Sequence, residues 1–314
     1  MTGSLVTLGE TMALISAAGI GSLAANRDMR LSIAGAETNV AIGVARLGAS
    51  SAWISRLGAD TFGDLVTREL RAEGVEAIVR TDPERPTGLI IKERPNAMRT
   101  QVRYYRAGSA ASAMTAFDID SDAIASADVL HVTGITPALG PGPASAVHQA
   151  VETARAHNTL ISLDLNYRAT LWSREDARAA LTHLVHRADV VFAGPEEASL
   201  VVPEGSTEEL ALALAEMGPE QVILKLGAEG AYSVIAGEVR KTPALAVPVV
   251  DTVGAGDAFV AGYLAEWMAG EGAEQRLRTA VAAGAFACTV LGDWEGLPTR
   301  ADLEALGASD AVHR

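Results

Sequence analysis

Between Val249 and Phe259 an apolar β-branched stretch runs into Gly254-Ala255-Gly256-Asp257, and a helix-compatible segment follows to Met268. Glycine lets the backbone turn sharply and approach a ligand closely. The unpaired amides that open a helix, at the positive end of its dipole, make a site for an anion. A phosphate fits against the amides of Ala255, Gly256 and Asp257. The helix start is expected to favour the ionised form of Asp257, a proton acceptor. Beside an incoming hydroxyl, that carboxylate orients the nucleophile and takes its proton as the bond to phosphorus forms. A structural role fits the same residues, with Gly254 and Gly256 shaping a turn and Asp257 capping the helix. Spacing alone does not separate the two.

Other chemistries are excluded by pattern. There is no Gly-Lys dipeptide and hence no P-loop. The GxGxxG dinucleotide fingerprint fails because Phe259 stands at its third glycine, which argues against a nicotinamide-dependent dehydrogenase. Neither an HExxH metalloprotease pattern nor a GxSxG elbow occurs. The histidines (His131, His148, His157, His183, His186 and His313) are scattered and read as surface or satisfied core residues. Cys288, the only cysteine, cannot form an internal disulfide, and its apolar surroundings suggest a small buried hydrophobe. With 39 acidic against 25 basic residues, a net charge of −14 argues against nucleic acid and anionic membranes as partners. The segment Met1 to Gly9 lacks the cationic start and apolar run of a secretory signal, and no apolar run is long enough for a membrane span. A cytoplasmic location is expected.

An anion turn of this kind must be held by a rigid frame. Short β-branched runs alternate with helical patterns, the signature of a mostly parallel sheet with crossover helices, so the fold class is α/β. Strands are expected at Leu5–Leu8, Ala52–Leu57, Val129–Val132, Leu160–Leu165, Val190–Phe192 and Gln221–Leu226. Helices are expected at Glu37–Leu47, stopped by Gly48, and at about Ala144–His157. A capping box Thr61-Phe62-Gly63-Asp64 opens another, stopped by Gly74. No repeat or linker divides the chain, so residues 1–314 read as one domain. Two segments break the alternation, Met12–Gly35 and Thr87–Arg106. The second reads as a hairpin around Pro95-Asn96. They form either a small β lid, spanning about 11–36 and 84–110, or ordinary edge strands.

The string Asp251-Thr252-Val253-Gly254-Ala255-Gly256-Asp257-Ala258-Phe259 resembles the C-terminal signature of the ribokinase-like carbohydrate kinases. Gly35-Ala36-Glu37-Thr38-Asn39-Val40-Ala41 resembles the N-terminal signature, which usually begins with two glycines and here has Ala34 in the first place. Within the family the strings Tyr104 to Ala110, Thr133 to Leu139, Asp164 to Trp172 and Gly292 to Gly296 are most similar to the subgroup that phosphorylates 2-keto-3-deoxygluconate. The resemblance spans roughly residues 5–306. It implies a ribokinase-like three-layer α/β/α sandwich with a β-sheet lid, and ATP-dependent phosphorylation of a sugar C6 hydroxyl.

The resemblance also implies roles. Asp257 would be the catalytic base, with Gly254, Ala255 and Gly256 as the anion hole. Gly35 and Asn39 would meet sugar hydroxyls, Tyr104 and Arg106 would reach down from the lid, and Asp293 would close the sugar site. Asn166 and Arg168 would lie between sugar and nucleotide phosphates, while Lys225, Gly227, Ala228, Glu229 and Gly230 would wrap ATP. A keto-sugar acid carries a carboxylate, which the planar donor fork of Arg106 or Arg168 suits. Either arginine, taken alone, fits a surface ion pair as well.

Two departures accompany these matches. Where relatives carry Asn-x-x-Glu, which places Mg2+ through water, this chain has Gly194-Pro195-Glu196-Glu197, keeping only Glu197. Mg2+ is still expected with ATP, held mainly by phosphate oxygens. Ile90 falls where several members of the subgroup have a tyrosine facing the sugar. In some relatives a monovalent cation such as K+ binds near Asp251 and Thr252, and the sequence leaves its presence here open. The lid is expected to close over the sugar, excluding water, and to pair with other lids in a homo-oligomer. The alternatives are a fructokinase, a kinase of another ketose or keto-sugar acid, and a non-catalytic nucleotide- or sugar-binding protein.

Overall fold

The structure, a computed structural model, describes residues 3–24, 27–96 and 99–306. His313 lies outside the described residues. In chain order the strands are β1 Ser4–Leu8, β2 Met12–Ile20, β3 Met29–Ala34, β4 Ser50–Gly58, β5 Val75–Asp82, β6 Leu89–Asn96, β7 Arg99–Tyr105, β8 Val129–Thr133, β9 Leu160–Asp164, β10 Val190–Ala193, β11 Gln221–Lys225, β12 Ala231–Ile235 and β13 Glu238–Thr242. Nine of them make the central sheet in the order β13-β12-β11-β10-β9-β8-β1-β4-β5. All its pairings are parallel except those of β12 and β13, which close one edge antiparallel.

The central strands are apolar runs because the sheet is covered on both sides. On one face Val6, Leu8, Leu130, Val132, Leu163 and Val191 pack under the helices Pro141–His157 and Arg174–Val185. On the other, Leu5, Trp53, Val129, Phe192 and Ile223 pack against the helices Ala36–Arg46, Ala255–Met268 and Ala273–Ala287. The result is the three-layer α/β/α sandwich that the resemblance implies. Among the described residues, no helix is long and apolar enough to cross a membrane.

The two segments that break the alternation form a second sheet, β3-β2-β6-β7. It is mixed, since β2 pairs antiparallel with β3 but parallel with β6. Met12, Leu14, Ala34 and Ile90 form its small core. Ala34, the residue that replaces a glycine, therefore has a packing task at the lid root. Pro95 and Asn96 belong to the end of β6 and not to the hairpin turn.

Local expectations need two corrections. The helix Thr61–Ala72 is capped by Asp60, not Thr61. The Asp60 carboxylate accepts the N–H of Gly63 at 2.8 Å and that of Thr87 at 2.7 Å, tying the helix start to the lid root. Cys288 is only half-buried. His131, by contrast, is fully buried on β8, with Nδ1 2.9 Å from Ser162 Oγ and Nε2 without a partner. Burial pulls its pKa down to about 4, so the ring is neutral.

Candidate active site

The carboxyl ends of β1, β8, β9, β10 and β11 converge under the lid, where an open α/β sheet ordinarily holds its ligand. They bound a cavity of about 1150 Å³. The cavity gathers Gly35, Asn39, Tyr104, Arg106, Asn166, Arg168, Glu197, Lys225, Gly254, Gly256, Asp257 and Asp293, residues scattered over most of the chain. Four expected nucleotide residues do not line it. Gly227, Ala228 and Glu229 form a helical turn beyond Lys225 that Gly230 closes, and Glu229 faces a separate hollow of about 470 Å³.

At the floor lies the glycine turn. Gly254 adopts φ +76°, and a Cβ there would stand 2.0 Å from the carbonyl oxygen of Asp293, so only glycine fits. Ala255 begins the helix Ala255–Met268. Its amide donates to Thr252 O at 3.3 Å and Ala258 donates to Gly254 O at 2.8 Å. The anion site is thus narrower than expected, since the amides left for a ligand are those of Gly256 and Asp257. Lys225 closes one side, its Nζ 3.6 Å from where a Gly256 Cβ would stand.

Asp257 is linked to Asp293 through one amide. Asn39 Nδ2 donates to Asp257 Oδ2 at 2.8 Å and to Asp293 Oδ1 at 3.0 Å. Asn39 is buried, and its Oδ1 has no partner. Burial pushes Asp257 up to about 8, with Asp293 and Asp164 adding to it and Asn39 opposing. The expectation that the helix start keeps this carboxylate ionised is therefore corrected, because desolvation outweighs the dipole. Burial likewise lifts Asp293 to about 6, against Asn39 and Lys92.

The lid side of the cavity depends on residues that sequence reasoning missed. Arg106, just past β7, donates through Nε to Glu10 Oε2 at 2.7 Å, with Nη2 2.6 Å from the same oxygen. Glu10 is buried between lid and body and also accepts from Ser109 Oγ. Arg106 stacks 5.8 Å from the Tyr104 ring centroid. Glu37, buried, accepts from Thr133 Oγ1 and Thr136 Oγ1, each at 2.7 Å, and burial raises its pKa. Gly9 makes room for that carboxyl, since a Cβ there would lie 2.3 Å from Glu37 Cδ. Lys92 reaches from β6 to Asp251 Oδ2 at 2.9 Å. Lys92 and Lys225 are two of only three lysines among 25 basic residues, a signal that was readable. Next to Asp293, Ser32 Oγ from the lid donates to Glu295 Oε1 at 2.7 Å, and Glu295 Oε2 accepts the N–H of Asp293 at 2.8 Å.

The side of the cavity at the ends of β9 and β11 is organised by Asp164. It accepts from Lys225 Nζ at 2.6 Å, and its Oδ1 is buried without a partner. Burial alone would lower the Lys225 pKa, but Asp164 and Glu197 outweigh it and hold it above the usual value. Glu197 does not present a free carboxylate. Its Oε1 accepts the N–H of Tyr167 at 2.9 Å and its Oε2 that of Gly194 at 2.7 Å. Among the described residues, no three His, Cys, Asp or Glu are gathered to hold a metal. Asn166 is in the left-handed region at φ +38°, and Arg168 stands exposed at the rim, its Nη1 3.2 Å from Tyr167 O. The arrangement can bind an anion at the turn, place a carboxylate beside it and offer an arginine fork to a second anionic group.

The model of the pfkB family of carbohydrate kinases matches residues 2–300. The 2-dehydro-3-deoxygluconokinase of Bacillus subtilis is 36% identical, covering 98% of this chain and 97% of its own. The 2-dehydro-3-deoxygalactonokinase of Haloferax volcanii is 37% identical, covering 93% of each. The structure of a putative ribokinase II from E. coli with ATP and Mg2+ superposes with a TM-score of 0.89 at 27% identity, covering 97% of this chain and 98% of its own. A Vibrio cholerae fructokinase holding fructose, ADP and potassium gives 0.85 at 27% identity, with the same coverage.

Proposed function

The chain belongs to the pfkB family of carbohydrate kinases, and from that membership we propose that it transfers the γ-phosphoryl group of ATP to the C6 hydroxyl of 2-keto-3-deoxygluconate (2-dehydro-3-deoxygluconate). The observation that carries this reading is Asp257, set in the first turn of a helix whose Gly256 and Asp257 amides are open and linked through Asn39 to Asp293. Asp257 takes the proton of the attacking hydroxyl. The two amides and Lys225 receive the charge of the transferring group. Arg106 meets the substrate carboxylate while Glu10 holds its Nε–Nη2 edge. Gly35, Asn39, Tyr104 and Asp293 line the rest of the sugar, and Asn166 and Arg168 stand between sugar and nucleotide. ATP lies from Lys225 toward Gly227–Gly230.

Magnesium enters as MgATP, where it shields phosphate charge and orients the γ-phosphoryl group. With both Glu197 oxygens on backbone amides, its ligands would be phosphate oxygens and water, and Glu197 would act on it through water. The exposed lid residues Ile20, Leu31 and Tyr105 favour an assembly through the lid, which light scattering of the purified protein tests. The unpaired Cys288 suits the reducing cytoplasm.

A second reading, the C4 epimer 2-keto-3-deoxygalactonate, is favoured by the relative of that name. The test is ADP release with MgATP and a panel of both keto acids and fructose. Turnover of either acid well above fructose is expected, with Arg106→Ala lowering the acids far more than fructose. Preference for fructose would refute the substrate class, and ATP binding with no transfer to any sugar would refute the kinase reading.

A further inference from the structure

The ion pair between Lys92 and Asp251 takes no part in the mechanism above. Lys92 belongs to lid strand β6, whereas Asp251 opens the glycine turn of the body, 159 residues away. Their side chains are only 14% and 16% exposed. A monovalent cation beside Asp251 and Thr252, which the sequence left open, would need a shell of oxygens in place of its water. Here those oxygens are already engaged. Asp251 Oδ2 takes the Lys92 ammonium at 2.9 Å and Oδ1 accepts the N–H of Val253 at 3.2 Å. The nearby carbonyl of Cys288 accepts the amides of Val250 at 2.8 Å and Asp251 at 3.3 Å. The residues present do not fit a further monovalent cation.

A positive charge is nevertheless needed. Asp251, Asp257, Asp293 and Glu295 crowd this side of the cavity, and Lys92 is the cation that opposes Asp251 and Glu295 at Asp293. We propose that Lys92 supplies from the lid the fixed positive charge at Asp251 that a bound monovalent cation gives in some relatives, so that phosphoryl transfer here needs no such cation. The inference rests on the kinase reading. Because the ammonium is carried by β6, the charge is in place only when the lid covers the site. Lid closure and neutralisation of the turn become one event.

The test compares wild type, Lys92→Met and Lys92→Arg in about 0.1 M potassium, sodium or choline chloride at one ionic strength. Wild type should work equally in all three salts. Lys92→Met leaves a mostly buried carboxylate unpaired and should lose about 30-fold in kcat/KM in choline, with several-fold recovery in potassium. Lys92→Arg should keep its indifference to salt. Broadening of the thallium(I) magnetic resonance line gives a readout independent of turnover. It should appear with Lys92→Met and be absent with wild type, and a thermal melt checks that the variant is folded.

A wild type that needs potassium would overturn the proposal. So would a Lys92→Met enzyme fully active in choline, or one crippled in every salt and silent to thallium. If wild type transfers to no sugar in any salt, the kinase reading fails instead, and the thallium titration still decides the site.

Discussion

Asp257→Asn should abolish turnover and at the same time stabilise the protein. In the native state burial raises the Asp257 carboxyl from an ordinary 3.8 to about 8. Unfolded, it titrates at its ordinary value. Between those two values the folded chain holds a proton that the unfolded chain has given up, so stability falls as pH rises through that window. At pH 7 the loss is about 4 kcal/mol for a dry carboxyl, and nearer 2 kcal/mol for one that opens on a cavity, as Asp257 does. Asparagine removes the titration. Asn39 Nδ2 can keep its bond by donating to the side-chain oxygen of the new amide. Urea unfolding of both proteins, followed by circular dichroism from pH 4 to pH 9, reads the difference. The variant should exceed wild type by about 2 kcal/mol at pH 8, and the advantage should vanish toward pH 4, where both side chains are neutral. A difference independent of pH, or a variant less stable at pH 8, would refute the burial argument. A fully active variant would refute the base.

The same carboxyl should shape the kinetics, with kcat/KM rising tenfold per pH unit up to about 8, so that pH 6 runs about 100-fold below the plateau. A flat profile would mean that Asp257 is ionised in the free enzyme. Glu10→Gln should weaken the hold on Arg106 and raise KM for the keto acid about tenfold with a small change in kcat, while KM for MgATP stays put. Gly254→Ala should lose activity and several kcal/mol of stability, since its Cβ meets Asp293 O and its φ is left-handed, and chemical denaturation and ADP release check both.

Much of this architecture was legible because each element speaks locally. β1, β8, β9, β10 and β11 are short apolar runs that match a sheet covered on both faces, and Gly48 and Gly74 sit at positive φ where helices were expected to stop. The glycine turn and the Gly35–Asn39 segment were legible for the same reason, since each is one continuous string. What escaped was pairing across distance. Glu10 meets Arg106 over 96 residues, Lys92 meets Asp251 over 159, and Lys225 meets Asp164 over 61. A single charge at a strand end looks like a solvated one until the sheet order brings its partner beside it. The charge state of Asp257 was misjudged likewise, because the helix dipole is local whereas the groups that desolvate it come from elsewhere in the chain.

Those three pairs explain how a protein of net charge −14 manages two anionic ligands. Lys92, Arg106 and Lys225 are each already matched to a carboxylate, and Glu10 and Asp164 are almost wholly buried. A lone buried cation would pay a desolvation penalty and wander in orientation, whereas a paired one is fixed. Glu10 engages two donors of the Arg106 fork and leaves the others for a ligand carboxylate. Attraction then comes less from net positive charge than from aimed donors, namely Arg106, Lys225 and the amides of Gly256 and Asp257. Burial of Asp257 completes the arrangement. Near neutral pH the free site holds that carboxyl mostly protonated, so one repulsive charge is missing when an anion arrives. With its basicity raised toward the working pH, the same group is a better acceptor for a hydroxyl proton than an exposed aspartate. The burial that destabilises the fold is therefore the source of the base strength, and the two effects should disappear together in Asp257→Asn.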